Sequence, residues 1–277
     1  MSETRIIFII VLLLGLLIVG WYFFFKKERR APLGPFPKKW RQFLKKKVRF
    51  YQQLELPERK RFEKEVQEFL QDCTITGVDL QPTDEDRLLV AASAVIPIFG
   101  FADWKRYPNL KEVLLYPSTF SSSNFSTRSG ERRTLGMVGR GFMGGKMILS
   151  RPALHLGFEQ AGKSNVGIHE FVHLIDMMDG ATDGIPEYLM QRQYTLPWLD
   201  LIHRKIRDIK KRRSDINPYG ATSEIEFLAV AAEYFFQRPL SLKKKHPELY
   251  EVLEQIFQQD LDDDGDFGHP PNSQKEV

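Results

Sequence analysis

The sequence predicts an α+β fold, mostly helical with one small sheet, preceded by a single N-terminal transmembrane helix. Three observations predict it. Apolar residues recur at helical spacing through most of the chain. Short runs at Thr74–Leu80, Glu112–Tyr116, Met137–Phe142 and Lys146–Ser150 read as strand or extended segments, with Pro117 and Gly144-Gly145 as punctuation. The twenty residues from Ile6 to Phe25 carry no charge.

A helix of that last length spans roughly 30 Å, the hydrocarbon thickness of a bilayer. The run ends in Phe23-Phe24-Phe25 and Lys26-Lys27, with Trp21 and Tyr22 at the same end and no small-residue cleavage site. These features predict an uncleaved anchor over 1–30. Only Glu3 and Arg5 precede it, whereas Lys26, Lys27, Arg29 and Arg30 follow. The positive-inside rule therefore places the rest of the chain in the cytoplasm, tethered to the inner membrane. A net charge of +4 hides a basic first fifty residues and an acidic end. Cys73 is the only cysteine, so an intrachain disulfide is excluded.

A linker over 31–39 contains the Pro/Gly-rich stretch Ala31–Pro37. Trp40–Tyr51 is basic, with Trp40, Phe43, Leu44, Val48 and Tyr51 at helical spacing, and reads as a helix packed on a domain over 40–262. Its lysines allow a second use, on an anionic leaflet. Pro57 opens the next helix, and Thr83 with Asp84-Glu85-Asp86 caps another that runs to about Pro97. Ser121–Arg133 is a polar loop. Gly139-x-Gly141-x-x-Gly144 matches a dinucleotide fingerprint only formally, because a strand and not a helix follows it. Leu199–Arg213 is an amphipathic basic helix without interleaved aromatics, so no nucleic-acid partner is expected. His203, His246 and His269 read as surface residues, and His155 has no assignment. Residues 263–277 read as an acidic disordered tail.

The chemistry centres on His169-Glu170-Phe171-Val172-His173, the H-E-x-x-H pattern of zinc peptidases. Residues four apart share a helix face, so both imidazoles can reach one Zn2+ per chain and Glu170 can reach its water. Asn165 starts this helix, which ends near Met178-Asp179-Gly180. A metzincin continuation is excluded, because Asp176 and Asp179 stand where Gly and His are required. The third ligand must then be a carboxylate from elsewhere. Ser223-x-x-Glu226 reads as a capping box. Beyond it, Glu233 sits alone in the apolar run Phe227–Phe236, where a bare carboxylate needs a cation or another partner. Asp176 is the rival, with a role in orienting an imidazole or a nearby backbone group.

Residues 169–180, Asn217-Pro-Tyr-Gly-Ala-Thr222 and Phe227–Phe236 resemble the Mlc titration factor A family of zinc peptidases. So do Tyr107-Pro-Asn-Leu110, Leu115-Tyr-Pro-Ser118 and Gln258-Gln-Asp260, and the similarity runs from about 43 to about 262. The resemblance implies a gluzincin-like catalytic domain, with His169, His173 and Glu233 as zinc ligands and Glu170 as general base. It implies a peptide or protein substrate held along a sheet edge, for which the strand Lys146, Met147, Ile148 and Leu149 is the candidate. Tyr219 is the candidate oxyanion donor. The family name adds a different class of function, a regulatory binding protein that sequesters a transcriptional regulator, with zinc shaping the fold.

Overall fold

The computed structural model describes residues 15, 32–102, 107–118, 120–121, 133–134, 136–138, 144–159, 164–186, 189 and 195–261. The chain divides into two units, Met1–Gly34 and Pro35–Val277, and the elements named here belong to the second. Apart from Gly15, the uncharged run and its basic flank lie outside the described residues. So do most of the 121–133 loop, Gly139, Gly141 and the acidic tail. Among the described residues no helix is long and apolar enough to cross a membrane.

The Trp40–Tyr51 segment is two helices, α1 (Lys38–Lys47) and α2 (Arg49–Gln53), broken at Val48, which adopts φ −104° and ψ 99°. Leu44, Val48, Phe50 and Tyr51 are buried, so this segment packs on the domain. Helix α3 (Leu56–Asp72) carries Pro57 in its first turn, where the missing N–H costs nothing. Strand β1 (Thr74–Gly77) follows.

Helix α4 (Asp84–Ile98) starts at a complete capping box. Thr83 Oγ1 accepts from the Asp86 N–H at 3.2 Å, and Asp86 Oδ2 accepts from the Thr83 N–H at 2.8 Å. The other oxygen of Asp86 takes Arg151 Nε at 2.8 Å and His155 Nε2 at 2.6 Å. Burial alone would raise the Asp86 pKa, but the bonds from His155, Thr83 and Arg151 outweigh it and hold the carboxyl far below the usual range. His155 thus has a structural partner. From Leu88 onward α4 is buried to its end, the helical core of the domain.

The strands are β2 (Glu112–Tyr116), β3 (Phe120–Ser121), β4 (Arg133–Thr134), β5 (Gly136–Val138) and β6 (Lys146–Ser150). β3 and β4 form an antiparallel ribbon. The main sheet has the order β1-β2-β6-β5, with the first three strands parallel and β5 antiparallel. This corrects the expectation that Lys146, Met147, Ile148 and Leu149 form a free edge. β6 is paired with β2 on one side and β5 on the other, so its backbone donors and acceptors are taken. Met147, Ile148 and Leu149 are also buried, and Lys146 forms an ion pair with Glu112 at 2.8 Å. Among the described residues the open edge on that side belongs to β5.

The remaining helices are α5 (Arg151–Glu159), α6 (Val166–Asp176), α7 (Thr195–Lys210), α8 (Glu224–Gln237), α9 (Pro239–Lys245) and α10 (Pro247–Phe257). α6 lies between α4 and α8. Its apolar face contributes Phe171, whose ring lies 5.6 Å from Phe69 and 5.0 Å from Tyr107. Gly167 lets α6 approach α4 closely: a Cβ there would meet Ser93 Oγ at 2.1 Å. On the other side, α7 buries Trp198, Leu201, Ile202, Ile206 and Ile209 at helical spacing.

Candidate metal centre

α6 begins at Asn165, whose side chain accepts from the Ile168 N–H at 3.1 Å. That cap fixes the helix so that His169 and His173, one turn apart, project toward α8. Their ring centroids are 4.7 Å apart and nearly perpendicular. His169 Nε2 lies 3.1 Å from His173 Nε2. From α8, Glu226 Oε2 reaches to 3.0 Å of His169 Nε2 and 3.5 Å of His173 Nε2. Three donor atoms from two packed helices therefore converge on one point, and they form a group able to hold a metal ion.

Glu233, the third ligand expected from the sequence, is not in this group. Its Oε1 lies 2.7 Å from Nδ1 of His169, on the opposite edge of the ring, and its Oε2 accepts the Asn165 N–H at 2.5 Å. The buried carboxylate has found its partners in an imidazole and a helix cap. With Nδ1–H donated to Glu233, the lone pair of Nε2 points at the cluster. Seven residues separate Glu226 from Glu233 along α8, two helical turns, so both carboxylates reach the same imidazole from one helix face.

The Ser223-x-x-Glu226 spacing predicts a capping box. Half of that box forms: Ser223 Oγ accepts the Glu226 N–H at 3.2 Å. The carboxylate turns to the histidines instead of back to Ser223. The missed signal is positional, since a carboxylate in the first turn of a helix packed against the motif helix is near enough to join it.

The electrostatics match the chemistry of the donor set. Burial opposes charge on His169, but its hydrogen bonds to Glu226 and Glu233 and the charges of Glu233 and Glu170 push its pKa up to about 10. Burial would likewise raise Glu226, yet the two imidazoles hold it far below the usual range. A site that attracts a proton this strongly presents the same negative potential to a divalent cation. With two imidazole nitrogens and one carboxylate oxygen, the residues fit zinc with a position left open. Glu170 is buried beside them; burial raises its pKa, and the charges of His169 and His173 oppose that rise.

Tyr219 lies in a short 3-10 turn, Pro218–Ala221, opened by Asn217, whose side chain accepts the Tyr219 N–H at 3.0 Å. Its ring is half exposed and lies 5.9 Å from that of His169. Asp176 is fully buried and accepts the Gly184 N–H at 3.1 Å. Gly184, at φ +79°, also receives Trp198 Nε1 on its carbonyl at 2.8 Å, and a Cβ there would meet Glu224 O at 2.4 Å. Asp176 thereby pins the loop after the motif helix against the start of α8, and among the described residues no hydrogen bond joins it to an imidazole. His246 is buried, not a surface residue, with Nε2 at 2.9 Å from Asp215. His203 is exposed, and His269 lies outside the described residues.

A carboxylate-flanked histidine pair of this kind, set on two packed helices, marks a metallopeptidase-like protein. The chain belongs to the glucose-regulated metallo-peptidase M90 family, and the match spans residues 23–258. It is similar to an uncharacterized protein of Synechocystis sp., 31% identical over 234 residues, which covers 80% of this chain and 84% of the relative. Mlc titration factor A of Yersinia pestis is 26% identical over 223 residues, covering 74% and 78% of the two chains. That of Pectobacterium atrosepticum is 27% identical over 158 residues, covering 54% and 59%.

Proposed function

We propose that the protein is a zinc peptidase of the gluzincin type, in which His169, His173 and Glu226 hold the metal and Glu170 is the general base. The observation that carries this reading is the approach of His169 Nε2, His173 Nε2 and Glu226 Oε2 to within 3.0–3.5 Å of one another beside a buried glutamate. Zinc bound there lowers the pKa of a water and polarises a carbonyl. Glu170 takes the proton from the attacking water and delivers it to the leaving amine. Its burial favours the protonated form and so makes the carboxylate a stronger base toward that water. Glu233 fixes the ring of His169 and its tautomer. The Tyr219 hydroxyl donates to the oxygen that gains charge in the transition state. An extended substrate pairs with the edge of β5, which packs beside α6.

The uncharged run tethers this domain to the inner membrane, facing the cytoplasm. Nearly all of it precedes residue 23, where the family match begins. A second reading draws on the relatives' name, titration factor: the domain sequesters a transcriptional regulator, and the metal orders its binding surface. One experiment separates the two. The domain from Pro35 is assayed for zinc content and for peptide hydrolysis, with and without chelator, alongside Glu170→Gln. The peptidase reading requires one zinc per chain, chelator-sensitive hydrolysis, and a loss of about a hundred- to ten-thousand-fold in Glu170→Gln with zinc retained. Hydrolysis unaffected by Glu170→Gln rules it out.

A further inference from the structure

Helix α1 reads KKWRQFLKKK, with six basic residues in ten and no acid. The structure sorts these six into two sets. Arg41 and Lys47 point to acidic partners on the domain: Arg41 grips Glu63 with Nε at 2.7 Å and Nη2 at 2.6 Å, and Lys47 lies 3.2 Å from Glu159. Lys38, Lys39, Lys45 and Lys46 are exposed, and among the described residues none of them has an ion pair. At 100° per residue these four lysines and Gln42 share an arc of roughly 120°. The opposite face is closed off, since Leu44 is buried and Trp40 and Phe43 pack on the core.

The N-terminal half of this face is built against the electrostatics of its own helix, while Lys45 and Lys46 in the last turn agree with it. Lys38 and Lys39 occupy the first turn, where the macrodipole favours anions. Pro37 precedes them without a side-chain cap, and no acid stands in the first turn. Such an arrangement lowers the stability of the isolated helix, and an external negative surface would reverse the sign. The stripe also lies near the start of the domain: Lys38 is thirteen positions after Phe25, so a fully extended chain between them reaches at most about 45 Å.

We propose that the solvent face of α1 is a docking surface for anionic phospholipid headgroups, with Lys38, Lys39, Lys45 and Lys46 as its contacts. The surface lays the domain against a bilayer in a defined orientation, with the paired residues Arg41 and Lys47 on the flanks facing the protein. This goes beyond the peptidase reading and does not depend on it. It does not depend on the uncharged run spanning a membrane either, because the stripe belongs to the separate unit Pro35–Val277, which contains its own hydrophobic core.

The test uses the domain from Pro35, without the run, in sedimentation with vesicles of phosphatidylglycerol and phosphatidylcholine against pure phosphatidylcholine. Binding to the anionic vesicles is expected at low salt, weakening as ionic strength rises. Each lysine is expected to contribute about fivefold, so Lys38→Gln/Lys39→Gln/Lys45→Gln/Lys46→Gln should lower partitioning by about a hundredfold or more. The same four positions changed to Arg should retain it. The Gln variant should melt close to the parent: Lys38→Gln and Lys39→Gln remove charges opposed to the dipole, Lys45→Gln and Lys46→Gln remove charges it favours in the last turn, and no core residue is touched. Equal binding to neutral vesicles, or unchanged binding by the Gln variant, overturns the proposal. Displacement from vesicles by RNA at equal phosphate concentration also overturns it and assigns the stripe to a nucleic acid.

Discussion

Glu233 meets His169 at Nδ1, at 2.7 Å, and Glu226 meets the same ring at Nε2, at 3.0 Å. One imidazole is thus held edge to edge by two carboxylates of a single helix, and the two carboxylates have different work. Glu226→Gln replaces an anionic ligand with a weak neutral one, so zinc affinity should fall steeply, beyond the effect of any outer partner. Glu233→Gln leaves all three donors in place and loosens the ring, which should weaken affinity about ten- to a hundredfold. Competition with a chromogenic chelator ranks the two. Equal affinities for Glu226→Gln and the parent would return the ligand role to another carboxylate.

Tyr219 supports only the transition state in the proposed mechanism. Tyr219→Phe removes the hydroxyl and keeps the ring that lies 5.9 Å from His169. Its kcat should fall by about a hundredfold or more, with zinc content unchanged and KM little altered. A kcat equal to that of the parent would leave Tyr219 as a packing residue of the turn.

Asp176 provides a pH test. Its carboxyl is pushed up to about 6 from an ordinary 3.8, by burial first, with Asp183 and Asp179 adding to the shift against the Gly184 N–H and His173. A pKa higher in the folded than in the unfolded state gives a contribution that is complete below the unfolded value. It is lost as pH rises through the folded one. The parent should therefore lose stability between about pH 4 and pH 6, on the order of 3 kcal/mol. Asp176→Asn keeps an acceptor for Gly184 and does not titrate. Urea melts should show its stability relative to the parent improving across that window; a constant difference contradicts the assignment.

Gly167 is tested by size alone. In Gly167→Ala the new Cβ would lie 2.1 Å from Ser93 Oγ and 2.7 Å from Ser93 Cβ, so α6 or α4 must shift. The expected cost is about 1–3 kcal/mol. Adding Ser93→Ala removes the shorter contact but not the longer, so thermal melts should show partial recovery.

Much of this was legible locally. The Asn165 and Thr83 caps, the start of α3 at Pro57 and strand β2 follow from short-range grammar. The site itself was harder because its decisive contacts are non-local. The burial argument rightly found that Glu233 needs a partner, but sequence offers no way to tell a metal from the Nδ1 edge of His169. At Glu226 a correct local reading hid the wider one: the N–H half of the capping box is real, and the carboxylate half was spent on the histidines. Lys146–Leu149 reads as an edge because its parallel pairing with β2, Glu112 against Lys146, is non-local. His246 looked superficial for the same reason, since its partner Asp215 is 31 positions upstream.

Among the described residues the polar groups of the candidate metal site, apart from Tyr219, come from just two packed helices, α6 and α8. The 47 residues from Met177 to Ser223 pass between them, and those of them that are described contribute no ligand atom to the cluster. That gives the architecture a modular character. The intervening segment can lengthen, shorten or change its surface over evolution while the two helices keep their register, provided the Asp176–Gly184 anchor and the Tyr219 turn survive. Within α8 the opposite holds: one residue inserted between Glu226 and Glu233 would rotate one of them by about 100° and release one edge of the imidazole. Diversity in what the family recognises is therefore expected to accumulate between the helices, and uniformity within them.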